Sequence, residues 1–294
     1  MSIVLGDNQY GKAETRVVRI YRDTERHEIR DLNVSTALRG DFGAAHLAGD
    51  QAQVLPTDTQ KNTAFAYAKE RGVGAIEDYA LALARHFTGD VASVTRARID
   101  VDEYRWERIT VEGSGHPHAF VRSGQEIRSA AVVIDAAGPV QTEWVMSGVR
   151  DLVLLKSTGS QFTGFLRDRY TTLAEATDRI LATSLTARWR YMTADAPWNE
   201  AFTQVRQVLL ERFAVLHSCA LQQMLWDMGS AVLAVRDDIA EIRLSAPNKH
   251  HFLADLSPYG LDNPGEVFHA DDRPYGLIQC AAVREGAPDA GPAW

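Results

Sequence analysis

The chain has 294 residues, 45% hydrophobic and 24% charged, an ordinary balance that excludes disorder, fibre and coiled coil as whole-chain descriptions. A formal net charge of −8 repels phosphate backbones, and no Lys/Arg run with interleaved aromatics offsets it, so nucleic acid is not an expected partner. The length suits two domains, each able to bury its own core.

The first residues, Met1 to Asp7, lack the basic and apolar regions of a signal peptide, and no apolar run approaches the length of a membrane helix. A cytoplasmic protein that does not enter a membrane is expected. Cys219 and Cys280 have neither CxxC spacing nor a zinc-like His pattern, and read as reduced core residues.

In chain order, Val18 and Ile20 alternate with Arg19 and Tyr21, the period of a strand with one wet face. Ile76, Tyr79, Ala80, Leu83, Ala84 and Phe87 then form an apolar stripe at helical spacing. Ala97, Ile99 and Val101 return to alternation, followed by strand signals at Tyr104 to Ile109 and Ile127 to Ile134. Ala136-Ala137-Gly138-Pro139 has the turn chemistry of a boundary, which divides the chain into domains 1–138 and 139–294.

The second half repeats the order. Val149 to Leu155 reads as a strand, and Thr172 with Glu175 forms a capping-box pattern that predicts a helix through Leu181. A long helical region starts at Trp198, with Leu221, Leu225, Met228, Val232 and Val235 on one face, before strands near Ile242 to Ala246 and His251 to Leu256. Strands flanking helices in both halves, without short βα alternation, predict an α+β fold with antiparallel sheets.

Four polar blocks stand out: Tyr10-Gly11-Lys12, Thr57 to Thr63 (TDTQKNT), Lys156 to Phe162 (KSTGSQF) and Pro247-Asn248-Lys249-His250. With Phe165 to Leu173 and Asp272 to Ile278, they extend over nearly the whole chain, and in this order and spacing they resemble urate oxidase (uricase). The resemblance implies two tandem T-fold domains, antiparallel sheets backed by helices, that assemble between subunits into a barrel with a tunnel. It also implies a homotetramer with active sites at subunit interfaces, taking urate and O2 to 5-hydroxyisourate and hydrogen peroxide with no cofactor. The ending Gly291-Pro292-Ala293-Trp294 lacks the peroxisomal address that uricases of nucleated cells often carry, which argues against peroxisomal import.

Taken alone, Lys12 is a solvated surface lysine, Thr57 and Asp58 a polar turn before a helix, and Phe162 a core aromatic. Arg179 is a helix-surface cation beside Glu175, and His250 a structural imidazole. The resemblance gives them sharper roles. Lys12, Thr57 and His250 form a proton relay, in which a lysine can act as base only if its pKa is lowered. Asp58 offers its backbone N–H to the purine, Phe162 stacks on it, and Leu173 and Leu221 wall it. Arg179 and Gln222 hold the pyrimidine-side edge, where a planar guanidinium presents two parallel donors. Asn248 caps the oxygen or water pocket.

Two alternatives remain open on residues alone: a purine- or pterin-binding T-fold protein without turnover, and a metal-dependent oxygenase using His116, His118, His250 or His251. His250 and His251 should point to opposite strand faces, and Pro117 favours a loop or bulge between His116 and His118, so no metal ligand set is expected.

Overall fold

The computed structural model describes residues 2–294, which divide into two compact units. The first runs to Gly148 and includes Arg190–Glu200 and Pro288–Trp294; the second comprises Val149–Trp189 and Ala201–Ala287.

The first unit contains β1 (Thr15–Tyr21), β2 (Glu28–Gly40), α1 (Gly43–Ala48), α2 (Thr57–Glu70), α3 (Ile76–Asp90), β3 (Val94–Glu103), β4 (Trp106–Val111), β5 (Ser114–Arg122) and β6 (Ile127–Asp135), and then the start of β7 (Thr142–Lys156). Its sheet has the order β1-β2-β3-β6-β7, with β4 and β5 forming a separate ribbon. The first pairings are antiparallel, fixed by registers such as Thr15↔Val34, Val34↔Val101 and Ile99↔Val132. Alternation turns Val17, Leu32, Val34, Leu38, Ile99, Val101, Val132 and Ile134 inward, where the stripe of α3 packs on β3 and β6. Burying each such side chain is worth about 1.5–3 kcal/mol.

One carboxylate enters this core. Glu77 is fully buried on α3, where its oxygens accept from Arg128 at 2.7 Å and from the Ser147 hydroxyl at 2.6 Å. Burial pushes its pKa up despite the guanidinium.

The second unit contains the rest of β7, then most of β8 (Leu181–Tyr191) and of α4 (Trp198–Val215), α5 (Leu221–Val235), β9 (Ile239–Leu253), a short 3-10 turn at Ser257–Tyr259 and β10 (Phe268–Val283). Strand order is β7-β8-β9-β10, and β9 pairs antiparallel with β10. α5 packs on both of these strands. The approach is close at Gly229, where an added Cβ would lie 3.1 Å from both Ala282 and Leu244. The α+β architecture of antiparallel sheet backed by helices agrees with the pattern reading. Among the described residues, no helix is long and apolar enough to cross a membrane.

Several expectations need correction. No helix forms from Thr172 to Leu181: that stretch is irregular and leads into β8, where Leu185, Ala187 and Trp189 are buried at period two. Glu175 does not cap a helix but accepts from the backbone N–H of Gly164 at 3.1 Å. The long helical region from Trp198 breaks at residues 216–220 into α4 and α5, and Val235 is exposed rather than part of the buried stripe. Cys219 is exposed and Cys280 partly so, both free, because Cys219 lies in that break and not inside an element.

Candidate active site

In the first unit, residues 10–12 run beside the end of β2. Tyr10 and Leu38 exchange backbone hydrogen bonds at 3.1 and 2.7 Å, and the Thr36 N–H donates to the Lys12 carbonyl at 2.9 Å. Only glycine fits between them. A Cβ on Gly11 would sit 1.7 Å from the Thr36 carbonyl oxygen, an impossible contact. Lys12 is thus fixed through its backbone just ahead of β1, while its side chain is left half-exposed.

Thr57 and Asp58 are the first two residues of α2, entered from Pro56 at φ −53° and ψ 141°. Their N–H groups belong to the first turn, which has no intrahelical acceptors, so the Asp58 N–H is available to a ligand. The Asp58 carboxylate faces its own helix, accepting from Lys61 and, at 3.0 Å, from Asn62. The hydrogen bond and charge of Lys61, with smaller help from Asn62 and Lys12, hold its pKa below the usual carboxylate value.

In the second unit, three backbone segments form one frame. Gln161 donates to the Ser218 carbonyl at 2.8 Å, Phe162 and Ala176 exchange bonds at 2.8 and 3.0 Å, and Arg179 donates to Ser160 at 2.8 Å. Asp178 tightens it by accepting from the Thr158 hydroxyl at 2.6 Å and the Gly159 N–H at 2.9 Å; the Thr158 bond is the main cause of its lowered pKa. The frame sets Arg179 over Phe162, with the guanidinium carbon 5.2 Å from the ring centre. It also leads, through residues 218–220, into the first turn of α5, where Leu221 and Gln222 lie.

Leu221 is only 3% exposed and belongs to the core, at the first turn of α5. Gln222 and Leu173 are exposed. Asn248 and His250 lie two apart on β9 and share a face, opposite His251. Asn248 pairs with Gly276 and His250 with Asp271, on either side of a register shift that lets residues 272–275 bulge out.

The groups that could act on a ligand are uncommitted. Among the described residues, no hydrogen bond or ion pair occupies the Lys12 ammonium, the Thr57 hydroxyl, the Gln222 amide or the His250 ring. Arg179 is half-buried, its Nε is buried without a partner, and desolvation alone lowers its pKa. A guanidinium taken from water without an acceptor is costly, and the arrangement suits an anionic ligand that supplies one. Among the described residues, no group of three or more His, Cys, Asp or Glu could hold a metal ion.

Sequence reading gave no role to Thr36, Gln60 or Asp178, which hydrogen-bond within the segments that carry these groups. Gln60 sits in a polar block and Asp178 next to Arg179, yet nothing in residue type alone separates an orienting amide or carboxylate from a surface one.

A family model described as uricase matches residues 8–133 and 145–279. A uricase of Arthrobacter globiformis is 51% identical over 292 residues, 99% of this chain and 94% of that protein. A uricase of Danio rerio is 35% identical over 281 residues, 94% of this chain and 93% of that protein. The crystal structure of the Arthrobacter globiformis uricase has a TM-score of 0.94 to this fold at 50% identity, covering 100% of this chain and 99% of that one.

Proposed function

The chain belongs to the uricase family and is a urate oxidase, and we propose that it works without metal or organic cofactor, with sites shared between the subunits of a homotetramer. In this reading residues 1–138 and 139–294 are two T-fold domains, and subunits join their sheets into a barrel around a tunnel. Each site combines Lys12, Thr57 and Asp58 of one subunit with Phe162, Leu173, Arg179, Leu221, Gln222, Asn248 and His250 of its neighbour. The enzyme acts in the cytoplasm.

Urate gives two electrons and two protons to O2, forming hydrogen peroxide and a dehydrogenated purine; water then adds its hydroxyl at C5, giving 5-hydroxyisourate. Lys12, Thr57 and His250 carry the protons. Arg179 and Gln222 hold the anionic edge and favour the electron-rich form that reduces oxygen. Phe162 supports the ring by stacking, Leu173 and Leu221 bound it, and Asn248 and Thr57 face the oxygen or water above it.

The observation that carries this reading is the half-buried Arg179 guanidinium, lacking an acceptor and poised over an aromatic ring. The test is urate loss measured with oxygen uptake and peroxide formation, on protein exhaustively treated with chelator. Equal amounts of all three support it. Urate binding without turnover, or activity restored only by added metal, overturns it.

A further inference from the structure

The first unit contains a closed ring of hydrogen bonds around the Lys12 anchor. The Lys12 N–H can only donate, so Thr36 Oγ1 accepts from it at 3.0 Å and must turn its own proton to Gln60 Oε1 at 2.5 Å. That fixes the Gln60 amide, whose Nε2 then faces the Leu55 carbonyl at 3.4 Å. The Tyr10 hydroxyl donates to the same carbonyl at 3.0 Å. Tyr10 and Lys12 are joined through Gly11, so the backbone itself closes the ring, and the Thr36 N–H donates to the Lys12 carbonyl at 2.9 Å.

The ring is dry at its centre, with Thr36 7% exposed and Gln60 fully buried. Its two anchors on the other chain segment, Leu55 and Gln60, bracket Thr57. It therefore holds Lys12 and Thr57 relative to each other from both sides, although neither side chain takes part in it.

We propose that Thr36 and Gln60 are positioning residues of the urate oxidase reaction, joined by a buried hydrogen bond that sets the spacing of Lys12 from Thr57. The proposal rests on the reading of Lys12 as a relay group. Proton transfer demands hydrogen-bond reach, and small displacements of a reacting group are costly in rate. A valine at position 36 keeps the shape of threonine but leaves the Lys12 N–H and Gln60 Oε1 without their shared partner. Methionine at position 60 breaks the ring at its other member.

The experiment measures kcat, KM and melting temperature for Thr36→Val, Thr36→Ser and Gln60→Met, and repeats Thr36→Val in a Lys12→Met background. Loss of about tenfold or more in kcat, with KM within about twofold, is expected for Thr36→Val and Gln60→Met, as for a misplaced transfer group. Thr36→Ser, which keeps the hydroxyl, restores kcat. In the Lys12→Met background Thr36→Val costs no further turnover, because the group it positions is gone.

A lowered melting temperature with unchanged kcat overturns the proposal, as does the same fold-loss with and without Lys12. If Thr36→Val does not fold, Gln60→Met gives the same decision. Wild-type turnover in Lys12→Met removes the relay reading and this proposal with it, whereas a relay-dead Lys12→Met beside a fully active Thr36→Val removes this proposal alone.

Discussion

Phe162 stacks on Phe165, with ring centres 4.9 Å apart and 12° between planes, so that one aromatic supports the ring over which Arg179 lies. The stack fixes the platform, and the backbone bond from Arg179 to Ser160 fixes the cation relative to it. Arg179→Ala should therefore lower kcat/KM by about 2–5 kcal/mol in transition-state terms, the loss expected when one partner of a buried charge pair is removed. Arg179→Lys should recover little of this, since an ammonium cannot present the planar fork. Steady-state kinetics on both variants check the clamp, and wild-type kcat/KM in Arg179→Ala refutes it.

In the proposed relay Lys12 moves a proton, so its removal should have a different signature. Lys12→Met should bind urate with nearly unchanged affinity while kcat falls by about 10²-fold or more, the usual contribution of a general acid–base group. Equilibrium binding of urate beside single-turnover measurements separates the two quantities. Weakened binding with intact turnover would instead make Lys12 a substrate contact.

Gly11→Ala should damage the same function through the backbone. The added methyl would occupy the Thr36 carbonyl oxygen, so residues 10–12 must leave β2 and take Lys12 with them. The expected result is a loss of turnover comparable to Lys12→Met, with a fall in melting temperature of several degrees if about 1–3 kcal/mol of strand pairing is lost. Unchanged turnover would show that Lys12 acts from more than one backbone position.

The strands that pattern reading found include β3, with one clean apolar face, and β6, whose Ala130 to Ile134 form a continuous apolar run buried on both faces. It did not find β2, whose Arg30, Asp31, Asn33 and Arg39 hide the alternation. Asp31 can be buried there because Arg16 and the Trp106 indole N–H donate to it. β10 was obscured by the bulge at residues 272–275. The expected helix at Thr172 fails because Glu175 and Asp178 spend their carboxylates on loop N–H groups. For the site, residue types alone left Lys12, Phe162, Arg179 and His250 with ordinary readings, and resemblance supplied their roles. Thr36 lies outside every block, and its importance exists only in the tertiary arrangement.

A surface carboxylate gives a pH prediction. Glu143 accepts from Arg85 at 2.9 and 2.6 Å, and this bidentate bond is the main cause of its lowered pKa. A carboxylate depressed in the folded state contributes stability above its unfolded pKa and loses it as pH falls through the folded one. Glu143→Gln should thus cost about 1 kcal/mol or less near neutral pH, as for a partly exposed pair, and nothing once the pH is below the folded pKa. Denaturant unfolding of both proteins from neutral to acid conditions checks this; a gap that persists in acid assigns the effect to packing.

The proposed sharing of each site between two subunits makes the most demanding prediction. Lys12 and Arg179 belong to different units, and in the proposed assembly each site draws one from each of two subunits. Lys12→Met and Arg179→Ala homotetramers should both be nearly inactive, every site lacking one group. Mixed by co-expression, the two chains form some sites from the intact first unit of an Arg179→Ala chain and the intact second unit of a Lys12→Met chain. Random assortment makes about one site in four of this kind, so activity should return to roughly a quarter of wild type if subunits pair without preference. A site built within one chain has no such combination, because every chain in the mixture carries a defect. Purified hetero-oligomers that stay as inactive as their parents would therefore place Lys12 and Arg179 in the same subunit's site, while recovery near a quarter can arise only across an interface.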